Sequence, residues 1–174
     1  MNLELIPAFE KDDIINVIIE TPKGSQNKFA YHPQTETFLL KKTLPMGTVF
    51  PFDFGFIPST RGEDGDPVDI LIIMEEPTFP GCFIRCRLIG SLNAVQRENN
   101  DEEIENDRLV AVPVTSVLYA SLKEISDLNT SMVSEIENFF VDYNKHEGRK
   151  FSPKKWKTTR QALKQLRQSL VKAG

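Results

Sequence analysis

Apolar residues along this chain come first in short clusters and later at helical spacing. From Ile14 to Glu20 the segment Ile-Ile-Asn-Val-Ile-Ile-Glu is rich in β-branched residues, which suit a pleated surface, and it halts at the turn signal Pro22-Lys23-Gly24. A strand is predicted there. Lys28 to His32 and Thr37 to Lys42 flank Pro33-Gln34-Thr35-Glu36 and predict a hairpin. Further apolar runs at Phe50 to Ile57, Asp69 to Met74, Cys82 to Ile89 and Leu109 to Val114 are separated by Pro/Gly turns, a pattern that points to a small barrel. After Asp127 the period changes. Met132, Ile136, Phe139 and Tyr143 recur at spacings of three and four, with Thr130 or Ser131 placed to cap the first turn. Thr159, Leu163, Leu166 and Leu170 repeat that spacing behind a capping box of Thr158 and Gln161. The expectation is one α+β domain over residues 1 to 174, a barrel with two main helices packed outside.

Charge is unevenly placed. Residues 1 to 144 carry 24 acids against 11 bases, while residues 145 to 174 carry 10 bases against Glu147 alone. An acidic body repels phosphate backbones, which argues against a nucleic-acid partner, and a basic helix from about residue 157 can rest on the chain's own acids or a neighbour's. Phe50, Phe52, Phe54 and Phe56 could act as base-stacking platforms, but alternation places the four rings on one face, the mark of a core. Cys82 and Cys86 are too far apart along one strand for a disulfide and are read as structural. The longest apolar stretch, Ile70 to Met74, is far shorter than the roughly 18 residues of a membrane span. The start Met1-Asn2-Leu3-Glu4 lacks the basic and apolar run of a secretory signal, so a cytoplasmic location is expected.

The segment Glu63-Asp64-Gly65-Asp66-Pro67-Val68-Asp69 carries the chemistry. Acids crowded on one rigid turn repel unless a cation neutralises them, and this turn is anchored to the core by the apolar run that follows Asp69. An EF-hand reading fails because Val68 takes a ligand position and Asp69 the place of the sharp-turn glycine. Hard oxygen donors without histidine or thiolate nearby favour Mg²⁺ or Mn²⁺ over Zn²⁺. Such sites act mostly on phosphates.

Asp64-Gly65-Asp66-Pro67-Val68-Asp69 resembles the Asp-x-Asp-Pro-x-Asp motif of the family I inorganic pyrophosphatases. Val17 to Pro22, Phe50 to Pro58, Pro80 to Arg87, Leu109 to Pro113 and Phe139 to Tyr143 are similar to the same family in the same order. The resemblance implies a five-stranded OB-type barrel and Mg²⁺-dependent hydrolysis of inorganic diphosphate. It further implies Asp64, Asp66 and Asp69 at the metal site, Asp66 also as the base that deprotonates a metal-held water, and Glu20 at another metal. Lys28 and Tyr143 would hold phosphate oxygens. A homo-oligomer, a hexamer in bacterial members, is implied as well.

Several positions depart from the pattern. Ala30 stands where the family has an outer metal ligand, Lys42 where it has a phosphate-clamping arginine, Phe54 where it has a tyrosine, Asp53 where it has an asparagine, and Asn144 where it has a lysine. Before Leu109 the family resembles Asp-x-Lys, whereas this chain reads Asn106-Asp107-Arg108. Arg108 can still hold phosphate, and a shift of one residue would offer Asp107 to the metal. The acidic loop from Arg97 to Glu105 is either solvated or a source of replacement ligands. The site is therefore either a working pyrophosphatase, or a relative that binds phosphate ligands, metal or a protein partner without turnover.

Overall fold

The β-branched run after Asp13 does form a strand, and it is the hub of the sheet. The structure is a computed structural model that describes residues 2–97 and 103–171. Asp101 and Glu102 of the acidic loop lie outside the described residues. In chain order the strands are β1 (Phe9–Lys11), β2 (Ile14–Thr21), β3 (Asn27–His32), β4 (Thr37–Thr43), β5 (Asp53–Ile57), β6 (Val68–Ile72), β7 (Phe83–Arg97), β8 (Glu103–Glu105) and β9 (Arg108–Pro113), followed by helix α1 (Thr130–Lys145), strand β10 (Lys150–Lys157) and helix α2 (Thr159–Gln168).

β2 pairs with β5 on one edge and with β7 on the other, β5 pairs with β6, β6 runs parallel to β9, and β9 pairs back onto β7. These five pairings close a ring, so no barrel strand keeps a free edge. This is the five-stranded OB-type barrel expected from the sequence. Period-two alternation then divides the buried residues into two clusters. Leu71 and Ile73 join Phe50, Phe54 and Val110 under the α1 residues Ile136 and Phe140. Ile70 and Ile72 join Ile15, Val17, Leu109 and the α2 residues Ala162 and Leu166.

The four alternating phenylalanines, Phe50, Phe52, Phe54 and Phe56, are all buried, with exposures of 1–7%. They are core. Cys86 is buried and Cys82 half-buried, and both pack in the second cluster as free thiols.

Three local features correct the expectations. The cap of α1 is Asn129, whose side chain accepts from the Met132 amide, so Thr130 and Ser131 are already in the helix. Strand β7 continues well past Ile89 because Gly90 adopts φ +152°, and any side chain there would drive its Cβ to 2.7 Å from the Lys157 carbonyl oxygen. The basic tail also contributes a strand before its helix. β10 pairs with residues 91–97 of β7 and shifts register between Pro153 and Lys155, where a proline without an N–H is tolerated. Helix α2 then starts on the expected Thr158–Gln161 capping box. Two tail cations rest on acids of the body, Lys157 on Asp107 and Arg167 on Asp13.

Candidate active site

The acidic turn lies between β5 and β6, and its backbone is cross-braced. The Gly62 amide donates to the Asp66 carbonyl at 2.7 Å, and the Asp66 amide donates to the Asp64 carboxylate at 3.1 Å. Gly65, at φ +87°, supplies the left-handed residue that lets Asp64 and Asp66 face the same side of a tight turn. Asp69 follows on β6, opposite Phe56 of β5. Pairing to the barrel therefore sets the position of Asp69, while the braced turn sets Asp64 and Asp66.

These three carboxylates open onto a cleft of about 610 Å³ that also receives Glu20 from β2, Lys28 from β3 and Lys42 from β4. Arg108 from β9 and Tyr143 from α1 reach it from the other side. The fold thus gathers eight of the nine candidate residues, and their charges are already in contact. Glu20 is buried; one oxygen accepts from the Lys28 ammonium at 3.2 Å and the other from the Tyr31 amide at 2.7 Å. Burial disfavours both charges, raising the Glu20 carboxyl above its usual range and lowering the Lys28 ammonium, and the attraction between the two opposes each shift. The Lys28 ammonium lies 3.9 Å from the centre of the Phe54 ring, so the ring that lacks a tyrosine hydroxyl still contributes a cation–π contact.

Arg108 is buried, and its Nη1 forms an ion pair with Asp69 at 2.9 Å. Lys42 rests over the Tyr143 ring at 3.8 Å and against the Glu147 carboxylate. Partial burial pushes the Asp64 carboxyl up; the Asp66 amide opposes this, and the charges of Asp69 and Asp66 add to it. Burial likewise raises the Tyr143 hydroxyl, which stays protonated and able to donate.

Asp107 is the residue the fold does not bring in. One of its oxygens accepts from the Asn93 side chain at 2.6 Å and the Ala94 amide at 3.0 Å. The other accepts from Lys157 at 2.8 Å and Gln165 at 2.6 Å. Four donors occupy the carboxylate, and it borders a neighbouring cavity against α2 instead of the cleft. Asp53 is equally structural, accepting from the Lys23 amide and from the amide and hydroxyl of Thr78.

Five further polar residues line the cleft that the sequence did not single out: Tyr31, Lys41, Gln96, Glu147 and Arg149. Gln96 sits on the part of β7 beyond the expected strand, where no periodicity marks it. Glu147 and Arg149 flank Gly148 on the turn from α1 to β10. That turn was legible only as the start of a basic tail.

The carboxylate set suits a hard cation. Only oxygen donors among acidic, histidine or cysteine side chains line the cleft, and three acids share one short turn. Among the described residues no three such groups converge closely enough to hold a metal by themselves. Lys28 and Arg108 now balance Glu20 and Asp69, so a cation would draw the carboxylates together as phosphate oxygens took the two bases.

Comparison with known proteins agrees with this geometry. The family model described as "Inorganic pyrophosphatase" matches residues 17–173. The chain is 41% identical over 147 residues to an inorganic pyrophosphatase of Synechocystis, covering 84% of each chain. It is 40% identical to the corresponding Nostoc protein, again with 84% of each covered. A crystal structure of inorganic pyrophosphatase from Thermus thermophilus superposes with a TM-score of 0.88 at 28% identity, covering 98% of this chain and 97% of that one.

Proposed function

The chain belongs to the inorganic pyrophosphatase family, and from that premise we infer how its cleft hydrolyses inorganic diphosphate to two phosphates. One observation carries the reading: carboxylates from β2 and the acidic turn face cations from β3, β4 and β9 across a single cleft. A diphosphate needs both, acids to hold the metal and bases to hold its own oxygens.

Glu20, Asp64, Asp66 and Asp69 are the residues that would hold Mg²⁺, or Mn²⁺ in its place. When bound, the metal lowers the pKa of a water and shields phosphate charge. Among the described residues the Asp66 carboxylate accepts no hydrogen bond, so its oxygens are open to take a proton. Asp66 acts as general base: it removes a proton from water, whose oxygen then attacks one phosphorus as the bridging P–O bond breaks. Lys28, Lys42 and Arg108 bind phosphate oxygens and stabilise charge building on the leaving phosphate, and Tyr143 donates a hydrogen bond to the same group.

We place the enzyme in the cytoplasm as part of this reading; among the described residues no helix is long and apolar enough to cross a membrane. We extend the reading to a homo-oligomer of single-domain subunits, six by resemblance, which sedimentation would count.

The test is phosphate release from inorganic pyrophosphate with Mg²⁺ and with Mn²⁺, for the wild type beside Asp66→Asn. Metal-dependent release that collapses in the variant is expected. Background release from both proteins, with the fold intact, would remove the enzymatic reading; full release by the variant would remove Asp66 as the base.

A further inference from the structure

Asn106 stands where the family resemblance calls for a metal-binding aspartate, and its surroundings give the amide a different task. Its Nδ2 donates to Gln96 Oε1 at 2.8 Å, and its Oδ1 accepts from Arg108 Nη1. Arginine has only donors, so an amide facing it must present oxygen, and the amide's nitrogen must then find an acceptor. Gln96, itself buried, supplies that acceptor. The chain Gln96, Asn106, Arg108, Asp69 therefore has a single self-consistent direction, and all four residues line the cleft.

The guanidinium is fixed on two further sides. The Phe140 and Phe151 rings lie 5.2 and 5.9 Å from its carbon. Among the described residues Nη1 donates to Asn106 and the Asp107 carbonyl oxygen and is ion-paired with Asp69. Among the described residues Nε is buried without a partner, and Nη2 has no hydrogen-bond partner yet is not among the buried, unsatisfied atoms. The second terminal nitrogen is thus left accessible, on a residue that borders the cleft.

We propose that Asn106, oriented by Gln96, is a positioning residue that turns the Arg108 guanidinium so that Nη1 locks to Asp69 while Nη2 is presented to a phosphate oxygen. The inference rests on the diphosphatase reading for the identity of that phosphate. A neutral amide does this where an aspartate would not: it orients the guanidinium without placing a second negative charge on it. The site exchanges one metal-ligand position for an aimed cation.

A double-mutant cycle tests it, with two readouts: the kinetics of pyrophosphate hydrolysis and the affinity for inorganic phosphate by titration calorimetry. In the wild-type background Asn106→Ala is expected to raise the KM for pyrophosphate and weaken phosphate binding by about tenfold, the scale of one hydrogen bond to a charged group. In Arg108→Lys, whose ammonium has no fork to orient, the same substitution is expected to change either value less than about twofold. Asn106→Ser provides the same cycle with a smaller packing loss should the alanine variant fold poorly, and melting curves report the fold. Equal losses in both backgrounds, or no loss in the first, would overturn the proposal. A wild type without turnover would sink the diphosphatase reading alone, and the phosphate-affinity cycle would still decide this one.

Discussion

Asp107 and Asp69 lie on opposite sides of Arg108, one beside it in sequence and one across the β6–β9 pairing, and the fold treats them differently. Asp107 accepts four hydrogen bonds from β7, β10 and α2, and its side chain is 6% exposed. Asp69 accepts no hydrogen bond among the described residues and is ion-paired with Arg108, and its side chain is 27% exposed. The first carboxylate is a structural tie between the barrel and the C-terminal segment. The second leaves lone pairs uncommitted among the described residues. Residue type and sequence distance do not separate these roles; what separates them is how many donors the fold aims at each oxygen.

The sharpest way to break this contrast is to neutralise one acid from each group and measure both activity and stability. Asp66→Asn, which removes an acid from the ligand-facing group, is expected to lower kcat by about 10²- to 10⁴-fold, the range for a lost general base. Its urea midpoint should stay within error of the wild type, because its carboxylate accepts nothing among the described residues. A large stability loss with little change in kcat would reverse the assignment.

Asp107→Ala should behave in the opposite way. Removing one partner of a largely buried pair leaves Lys157, Asn93, Gln165 and the Ala94 amide without an acceptor, a loss of about 3 kcal/mol read from urea unfolding. The kcat of the folded fraction should change only a few-fold. If the variant loses kcat and metal affinity instead, Asp107 is a ligand after all.

Acid titration of the chelator-treated protein sharpens the comparison further, because the shifts have opposite signs. Burial by itself would raise Asp107, but the Lys157, Asn93, Ala94 and Gln165 donors outweigh it and hold the carboxyl below its ordinary 3.8. Its contribution to stability is complete above that value and is lost as the pH falls through the folded one. Asp64 is shifted upward, so its contribution is complete below 3.8 and is lost as the pH rises through its raised value. Asp107→Asn should therefore flatten the acid limb of stability against pH, and Asp64→Asn should flatten the decline above it. Glu75 gives an independent check away from the cleft. The amides of Leu118 and Val117 and the Ser116 hydroxyl hold it down to about 2, and Glu75→Gln should blunt the loss of stability between 4.5 and that value. An unchanged acid limb in Asp107→Asn would show that its four donors do not favour the charged form.

The contrast was only half legible in the sequence. Apolar runs marked the barrel strands because each is buried on the pleat, and the crowded acids of the turn marked the cleft because like charges on a rigid element need a cation. The partners that hold Asp107 outside the cleft could not be read locally: Lys157 and Gln165 are 50 and 58 residues away. No local pattern announces them. Strand β10 escaped notice because Lys-Phe-Ser-Pro-Lys-Lys-Trp-Lys has too few apolar residues to read as a strand. Its register comes from the edge of β7, and Phe151 alone is buried. Gln96 was missed with it, since both depend on Gly90 letting β7 run on.

Lys42 is the smallest and most informative departure from the family pattern, because it keeps the charge and loses only the geometry. Its ammonium rests on the Tyr143 ring and the Glu147 carboxylate, so part of its hydrogen-bonding capacity is engaged within the protein. An arginine there could keep one edge on Glu147 and offer a parallel pair of N–H groups to a phosphate, which a single ammonium cannot do. Lys42→Arg is expected to lower the KM for pyrophosphate by about three- to tenfold, one added charge-assisted hydrogen bond offset by desolvation, with kcat nearly unchanged. The pattern of the change matters more than its size. A fall in KM alone means that position 42 binds the ground state and the transition state alike. A rise in kcat would place it against charge that develops only during P–O cleavage, and no change in either would mean that Glu147 keeps the new guanidinium turned away from the ligand.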